Sequence, residues 1–491
     1  MKNIFGKGLV ALMITTLFLA CKKEDSCSVS FPLNGAFVQD YNQSVTVTFT
    51  TDNVASVSVS ATNAWKAEAD LATHTLTVTS PESEDTENAA RTSSVTITAA
   101  SPGGAVSSAV LYVYIVPPTV DLGADGTSNC YIITSPDTKY KFNACVKGES
   151  DTAIATASVG IVWQSATASV QYLTLNSDGY AEFFIGHSTD DETAVRNGNA
   201  LIAAYDDKGD VVWSWHLWIS ADDPRTEGIA TYSNGATAMN RNLGAFGNSE
   251  GSSDHNDILD SYGLYYQWGR KDPFPRPRYY NCANNIDQIL YNANGNYVYT
   301  TIEETDAEKG TVDYTTAHPS VFLTAAEGNE GDWHYGSRNN SLWGDANGSG
   351  SAKSLYDPCP KGWEVPAASD FINFELAEAD DTMELDEAKL AYGWFLTDTQ
   401  TQSRHFYTGG GYRSYFDGII SNVNYRDPES QYPYTPMPWV GYYWTQGTNG
   451  ANGVAMFFDL NTSRATINAF EPQTPQYRAN AMQVRCVKTQ R

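Results

Sequence analysis

Val211-Val212-Trp213-Ser214-Trp215-His216-Leu217-Trp218-Ile219-Ser220 is the stretch that decides the fold class. Val211, Trp213, Trp215, Leu217 and Ile219 recur at every second position, so they share one face of a strand, while His216 and Trp218 share the other. His216 reads as a hydrogen-bonded interior histidine rather than a ligand. Upstream, Asn129-Cys130-Tyr131-Ile132-Ile133 and Tyr140-Lys141-Phe142-Asn143-Ala144-Cys145 read as two strands joined by a Ser-Pro-Asp turn. Cys130 and Cys145 are then expected to face one another across that hairpin. Asp222-Asp223-Pro224 ends the last strand, and residues 119–224 form a β-sandwich module.

The same period of two runs through residues 31–117. Val45, Val47 and Phe49 alternate with threonines, as do Leu76 with Val78 and Val95 with Ile97. Ala109 to Val116 is apolar or aromatic throughout and is expected to be a more buried strand. Breaks at Asp52-Asn53, Pro81-Glu82 and Pro102-Gly103-Gly104 set a spacing of short strands that predicts a first β-sandwich, closed by Pro117-Pro118. Asn63-Ala64-Trp65-Lys66-Ala67-Glu68, Thr75-Leu76-Thr77-Val78 and Arg91-Thr92-Ser93-Ser94-Val95-Thr96-Ile97 together resemble a BACON-type immunoglobulin-like domain. Such domains often stand at the N-terminal side of gut Bacteroidetes surface proteins, and the resemblance implies a spacer or a carbohydrate role. Trp65 is expected in the core.

The first twenty residues read as a secretory signal. Lys2 and Lys7 make a positive start, and Leu9 to Leu19 form a short apolar run before Ala20-Cys21. Phe18-Leu19-Ala20-Cys21 resembles a bacterial lipobox, which implies acyl chains on Cys21. At about 0.8 kcal/mol per buried methylene, two or more chains hold a protein stably on a membrane. No later run approaches the roughly 18 apolar residues of a spanning helix. Residues 21–30 read as a tether, in which Lys23, Glu24 and Asp25 resemble the export signal that sends Bacteroidetes lipoproteins to the outer leaflet. The expected location is the outer membrane, facing outward.

Among 491 residues, acidic side chains outnumber basic ones 57 to 30, a net charge of −27. That surface repels phosphate backbones and excludes nucleic acid as a partner. Aromatic residues make up 12 % of the chain, too many for a disordered acidic tail. With Cys21 lipidated, six cysteines remain and allow fifteen pairings. None sits in a CxxC pair, so zinc is disfavoured.

Beyond residue 224 the character changes, with Gly, Asn, Tyr and Trp dominating and apolar periodicity fading. A helix is predicted from Ser369 as N-cap, with Phe371, Phe374 and Leu376 inward, and a second over Leu385 to Ala391. Met239-Asn240-Arg241-Asn242-Leu243-Gly244-Ala245 is followed by Gly263-Leu264-Tyr265-Tyr266-Gln267-Trp268-Gly269-Arg270-Lys271-Asp272-Pro273-Phe274. Then come Tyr356-Asp357-Pro358-Cys359-Pro360-Lys361-Gly362-Trp363-Glu364-Val365-Pro366, Gly411-Tyr412-Arg413, Tyr442-Tyr443-Trp444-Thr445 and Val484-Arg485-Cys486-Val487. As an ordered set these resemble the Fibrobacter succinogenes major paralogous domain over residues 239–488. The resemblance implies a loop-rich, α+β, C-type-lectin-like domain of surface lipoproteins and fimbria-associated proteins. In such a frame Cys-Pro before Gly-Trp-x-x-Pro fixes a turn and a core tryptophan. A C-terminal cysteine can clip the last strand to that turn, so Cys359–Cys486 is the expected disulfide, a crosslink contributing about 2–4 kcal/mol. Cys27 and Cys282 stay unassigned.

No arrangement for catalysis emerges: there is no Gly-x-Ser-x-Gly elbow, no His-Glu-x-x-His and no phosphate-binding glycine loop. No cofactor or metal is expected. Asp345-Ala346-Asn347-Gly348-Ser349-Gly350 has the opening of a calcium loop, but Tyr356 stands where such a loop needs a bidentate Glu, so it reads as an Asn/Gly turn. Trp439, Tyr442, Tyr412 and Arg413 are the candidate ligand-binding residues, aromatic faces suited to stacking on a sugar ring. Tyr443 and Trp444 are expected to be core. The leading functional expectation is a non-enzymatic surface adhesin or fimbria-associated tip protein, with glycans, surface proteins or fimbrial subunits as partners. A glycan-binding lipoprotein of a polysaccharide uptake system comes second, and an enzyme on a formylglycine-generating-like frame third.

Overall fold

The threonine-rich alternation of the first hundred residues builds two facing sheets. The computed structural model describes residues 26–280, 285–336, 338–344, 353–376, 392–421, 440–460 and 468–489. The chain divides into two compact units, Met1–Val116 and Pro117–Arg491. In the first, one sheet is ordered Gly35–Val38, Val106–Ile115, Thr92–Ala100, Ser56–Ala61, and the other Ser44–Thr48, Thr75–Thr79, Lys66–Asp70. Leu76, Val78, Val95, Ile97, Leu111 and Val113 meet between them. Trp65 is buried with its indole N–H donating to the Ala90 carbonyl at 3.0 Å, a core tryptophan as expected. In Val106–Ile115, where a more buried strand was expected over Ala109 to Val116, Leu111, Val113 and Ile115 point inward, while Val110 and Tyr112 are exposed. The chain is apolar on both faces there, but only one face enters the core.

The second unit begins with another sandwich. Its outer sheet is ordered Val120–Asp121, Thr138–Asn143, Tyr180–Ile185, Gln171–Leu175. Its inner sheet is ordered Cys130–Ile133, Val211–Ile219, Gly198–Tyr205, Ser158–Gln164, Leu290–Tyr291, Tyr297–Val298. The strand Val211–Ile219 lies between Cys130–Ile133 and Gly198–Tyr205, with the face assignment read from its period. Trp213, Trp215, Leu217 and Ile219 fill the space between the two sheets with Phe142 and Phe183. Cys130, Trp163, Leu201 and Trp218 point the other way, into a second core with Trp268, Trp333, Trp343, Trp363 and Trp444.

The inner sheet of the 119–224 sandwich is therefore buried on both faces within the unit Pro117–Arg491. A sheet apolar on both faces needs a layer on each, and the C-terminal segment supplies the second. Hairpin Leu290–Val298 even extends the inner sheet, through the pairing of Gln164 with Tyr291. The motif Trp268 to Phe274 runs along the seam. Lys271 Nζ sits between Asp272 Oδ1 at 2.6 Å and the Ser214 carbonyl at 3.0 Å, over the Trp213 ring.

Short sheets on a loop-rich frame make up the remainder. One is ordered Ala230–Thr231, Thr237–Ala238, Val487–Lys488, Trp363–Glu364. Another is ordered Tyr266–Gln267, Ala481–Met482, Tyr412–Arg413, Ile420–Ser421; two three-stranded sheets and the parallel pair Thr301–Glu304 with Val321–Thr324 complete the set among the described residues. Buried tryptophans of this frame are interlocked by backbone acceptors. Trp268 donates to the Thr445 carbonyl at 3.0 Å, Trp444 to Tyr266 at 2.8 Å and Trp333 to Trp268 at 2.8 Å. Cys359 and Cys486 are joined in a disulfide beside them, where the last strand pairs with Trp363–Glu364. The α-helices among the described residues are His255–Ser261 and Val312–Ala317, so the unit is mainly β.

Two further expectations change. The helix predicted from Ser369 is a single 3-10 turn, Ala368–Phe371. Phe374–Leu376 then pairs antiparallel with Gly393–Asp398, and the aromatic spacing that mimics a helix instead places Phe371 and Phe374 in one core. Cys130 and Cys145 do not pair, and both thiols are free. The Ser-Pro-Asp segment carries the chain from the inner sheet to the outer one, so the strands around it belong to different layers. Residues 1–25, Cys282, Asp345–Gly350 and Leu385–Ala391 lie outside the described residues.

Candidate functional site

A cleft opens where hairpin Leu290–Val298 meets hairpin Tyr412–Ser421. The first hairpin turns through Asn292-Ala293-Asn294-Gly295-Asn296, and the Asn292 side-chain oxygen accepts from the backbone N–H of Asn294 and Asn296, both at 3.0 Å. Beyond that turn the alternation of a strand points Tyr297 and Tyr299 outward, 62 % and 74 % exposed, with Val298 turned inward between them. The opposite wall is the short hairpin in which Tyr412 pairs with Ser421 and Arg413 with Ile420. Gly418, in its loop, has φ +69°, and a Cβ there would stand 2.8 Å from Ile302 Cδ1, so the close approach of the two walls requires glycine. Arg276–Arg278 forms a third border, with Arg278 N–H donating to Ile286 and Gln288 N–H to Arg276.

The hollow between these elements holds 560 Å³, within the range of small-ligand sites. A second hollow of 240 Å³ adjoins it through the shared Leu290, Val298, Tyr299 and Thr300, with Trp163 and Phe274 in its lining. The rim is apolar and open to solvent: Ile286, Ile289, Tyr297, Tyr299, Ile302 and Ile419 are all exposed. The floor is polar. Arg413 donates through Nη1 to the Gly418 carbonyl at 2.8 Å and through Nη2 to Asp287, and its guanidinium lies over the rings of Phe322 and Phe274 at 5.4 and 5.9 Å. Arg278 is half-buried beside this pair, and its Nε is buried without a hydrogen-bond acceptor.

The candidates from sequence separate here. Arg413 reaches the cleft, but as a buried member of an ion pair that fixes the floor. Its neighbour Tyr412 packs edge-to-face on Tyr442 at 5.3 Å, and Tyr442 lies 4.8 Å from Phe457, so these two half-buried rings pack against the core and do not line the cleft. Trp439 lies outside the described residues. Tyr443 and Trp444 are fully buried, as expected. The residues that sequence reasoning missed are Arg278, Tyr297 and Tyr299. A signal for the tyrosines existed: an Asn/Gly turn followed by Tyr-Val-Tyr is a hairpin with two aromatic side chains on one face.

His216 is an interior group, as expected. Its Nε2 is 2.8 Å from Asn199 Oδ1 and its Nδ1 3.4 Å from Cys130 Sγ, and burial pushes its pKa down to about 3. Burial also pushes the Cys130 thiol up, out of the reactive range.

No family model matches this chain. No curated protein matches it either, so the two family resemblances rest on their motifs. Among solved structures, it is similar to the D00-D0 domain of Intimin at 12 % identity, covering 39 % of this chain and 96 % of that one, with a TM-score of 0.15. It is similar to SporoSAG from Toxoplasma gondii at 11 % identity, over 38 % of this chain and 96 % of that one, TM-score 0.13. It is also similar to SGBP-B of the Bacteroides ovatus mixed-linkage glucan utilization locus, in complex with a mixed-linkage heptasaccharide. That likeness has 11 % identity over 41 % of this chain and 47 % of that one, TM-score 0.12. With scores this low, the reading of the cleft stands on its own geometry.

Proposed function

We propose that this chain is a non-enzymatic extracellular binding protein of the adhesin kind, held at an outer membrane by acyl chains on Cys21, and that its cleft captures a glycan. The observation that carries the reading is the pair Tyr297 and Tyr299, held outward on one face of a hairpin over a hollow with a polar floor. Leaving a large apolar side chain in water forfeits about 1.5–3 kcal/mol of burial, and here six surround one opening. A contiguous patch of that kind marks a binding surface. Tyrosine faces suit the apolar face of a pyranose, and the side-chain amide of Gln288 in the lining suits its hydroxyls. The disulfide speaks against an enzyme built on Cys359 or Cys486, since neither sulfur is available as a nucleophile.

Protease shaving of intact cells that express the chain from its own leader tests the outward display. Clipping of this protein while a periplasmic control survives is the expected result. Survival of both until the outer membrane is broken removes the adhesin reading.

A further inference from the structure

We infer that the glycan taken into this cleft is acidic, carrying the carboxylate of a uronic acid, and that Arg278 is the residue that selects it. The inference rests on the cleft being a glycan site and adds its charge specificity. Two guanidinium groups line the 560 Å³ hollow, and among the described residues only Arg413 has a carboxylate partner. Arg413 is neutralised by Asp287 and capped by the Gly418 carbonyl. Among the described residues, Arg278 has no carboxylate within salt-bridge distance and no side-chain hydrogen bond, and its Nε is buried. A partly desolvated guanidinium without an acceptor is a costly arrangement, and an incoming carboxylate, which accepts from the planar fork bidentately, relieves it.

The whole-chain charge makes the point sharper. At −27 the surface repels anions, so an anionic ligand binds only where a local cation outweighs that field. An uncompensated arginine inside the aromatic cleft is such a place. Tyr297 and Tyr299 then accept the ring face while Arg278 takes the carboxylate at its edge, and a neutral sugar lacks that charged contact.

The test is titration calorimetry of the full chain against homo-oligomers of galacturonate, glucuronate and mannuronate, each beside its carboxyl-reduced neutral counterpart. The expected result is that one acidic oligomer binds at least about tenfold tighter than its neutral counterpart. That preference should weaken as salt rises. Arg278→Gln should abolish the preference without changing the melting temperature, since the side chain has no partner among the described residues. Arg278→Lys should restore part of it. If neutral oligomers bind as tightly as acidic ones, the charge specificity is overturned and the glycan site stands. If none of the acidic oligomers binds, the inference is overturned, and binding of any neutral glycan then decides whether the glycan site itself survives. A preference that persists in Arg278→Gln removes the role of Arg278.

Discussion

Replacing Cys359 and Cys486 together by alanine should lower the melting temperature of the second unit by several degrees while leaving the first unit unchanged. The disulfide closes a span of 127 residues. In the chain-entropy treatment, a loop of that length restricts the unfolded ensemble by about 4.9 kcal/mol at 25 °C. At roughly 2 cal/mol/K of melting entropy per residue, a unit as long as Pro117–Arg491 shifts by about 6 °C for that change. Alanine at both positions avoids leaving a buried unpaired thiol, and both sites are fully enclosed in the tryptophan core. Scanning calorimetry at one scan rate, with the first unit as internal reference, reads the shift. Non-reducing peptide mapping of the native protein checks the link. A double variant melting within about 1 °C of the parent would refute the reasoning, as would alkylation of both cysteines in the unreduced protein.

His216, held neutral by burial with a pKa of about 3 against 6.5, should make stability fall with acid. Its contribution is full above pH 6.5 and is lost at about 1.4 kcal/mol per pH unit down to about 3; urea melts at pH 7, 5.5 and 4 should show a shallower slope in His216→Gln. Glu364 runs the other way: burial first, then Asp357, lifts its pKa to about 7, so its contribution is present below about 4.5 and lost as pH rises through 7. Glu364→Gln should therefore melt higher than the parent at pH 8 and level with it at pH 5, and equal shifts at both pH values would exclude the ionisation. Trp218→Ala should cost about 3–5 kcal/mol, because that ring fills the core behind the inner sheet and its N–H donates to the Ala245 carbonyl at 3.0 Å; chemical denaturation reads it directly.

Much of this architecture is written in local pattern, and the parts that are not have definite causes. The strand Val211–Ile219 could be read to its faces, since a period of two assigns every side chain. What covers each face is a tertiary fact, and the second core behind Trp218 comes from residues 268 to 444, far along the chain. The Phe371 and Phe374 spacing fits a helix turn as well as a turn leading into a strand, and only the pairing with Gly393–Asp398 decides between them. Cys130 and Cys145 are close in sequence, which suggested a bond, but they stand in different layers. Arg413 reads from sequence as a ligand-binding candidate, and its ion-pair partner, Asp287, is 126 residues away. The cleft shares that origin: its walls come from residues 276–302 and 413–419, and no local motif announces their meeting. The outward pair Tyr297 and Tyr299 was legible, and the Asn292–Asn296 turn before it is the cue.

The claim on which the account depends is that this cleft is where the protein binds. A glycan array probed with the full chain and with the Tyr297→Ala/Tyr299→Ala variant tests it most directly. Both side chains are solvent-exposed, so the variant should fold and melt as the parent does. Stacking on the two rings is worth about 1.4 kcal/mol or more in total, so a glycan bound by the parent should lose at least about tenfold in affinity. A glycan held with unchanged affinity by the variant would contradict the account and move the binding surface elsewhere on the molecule.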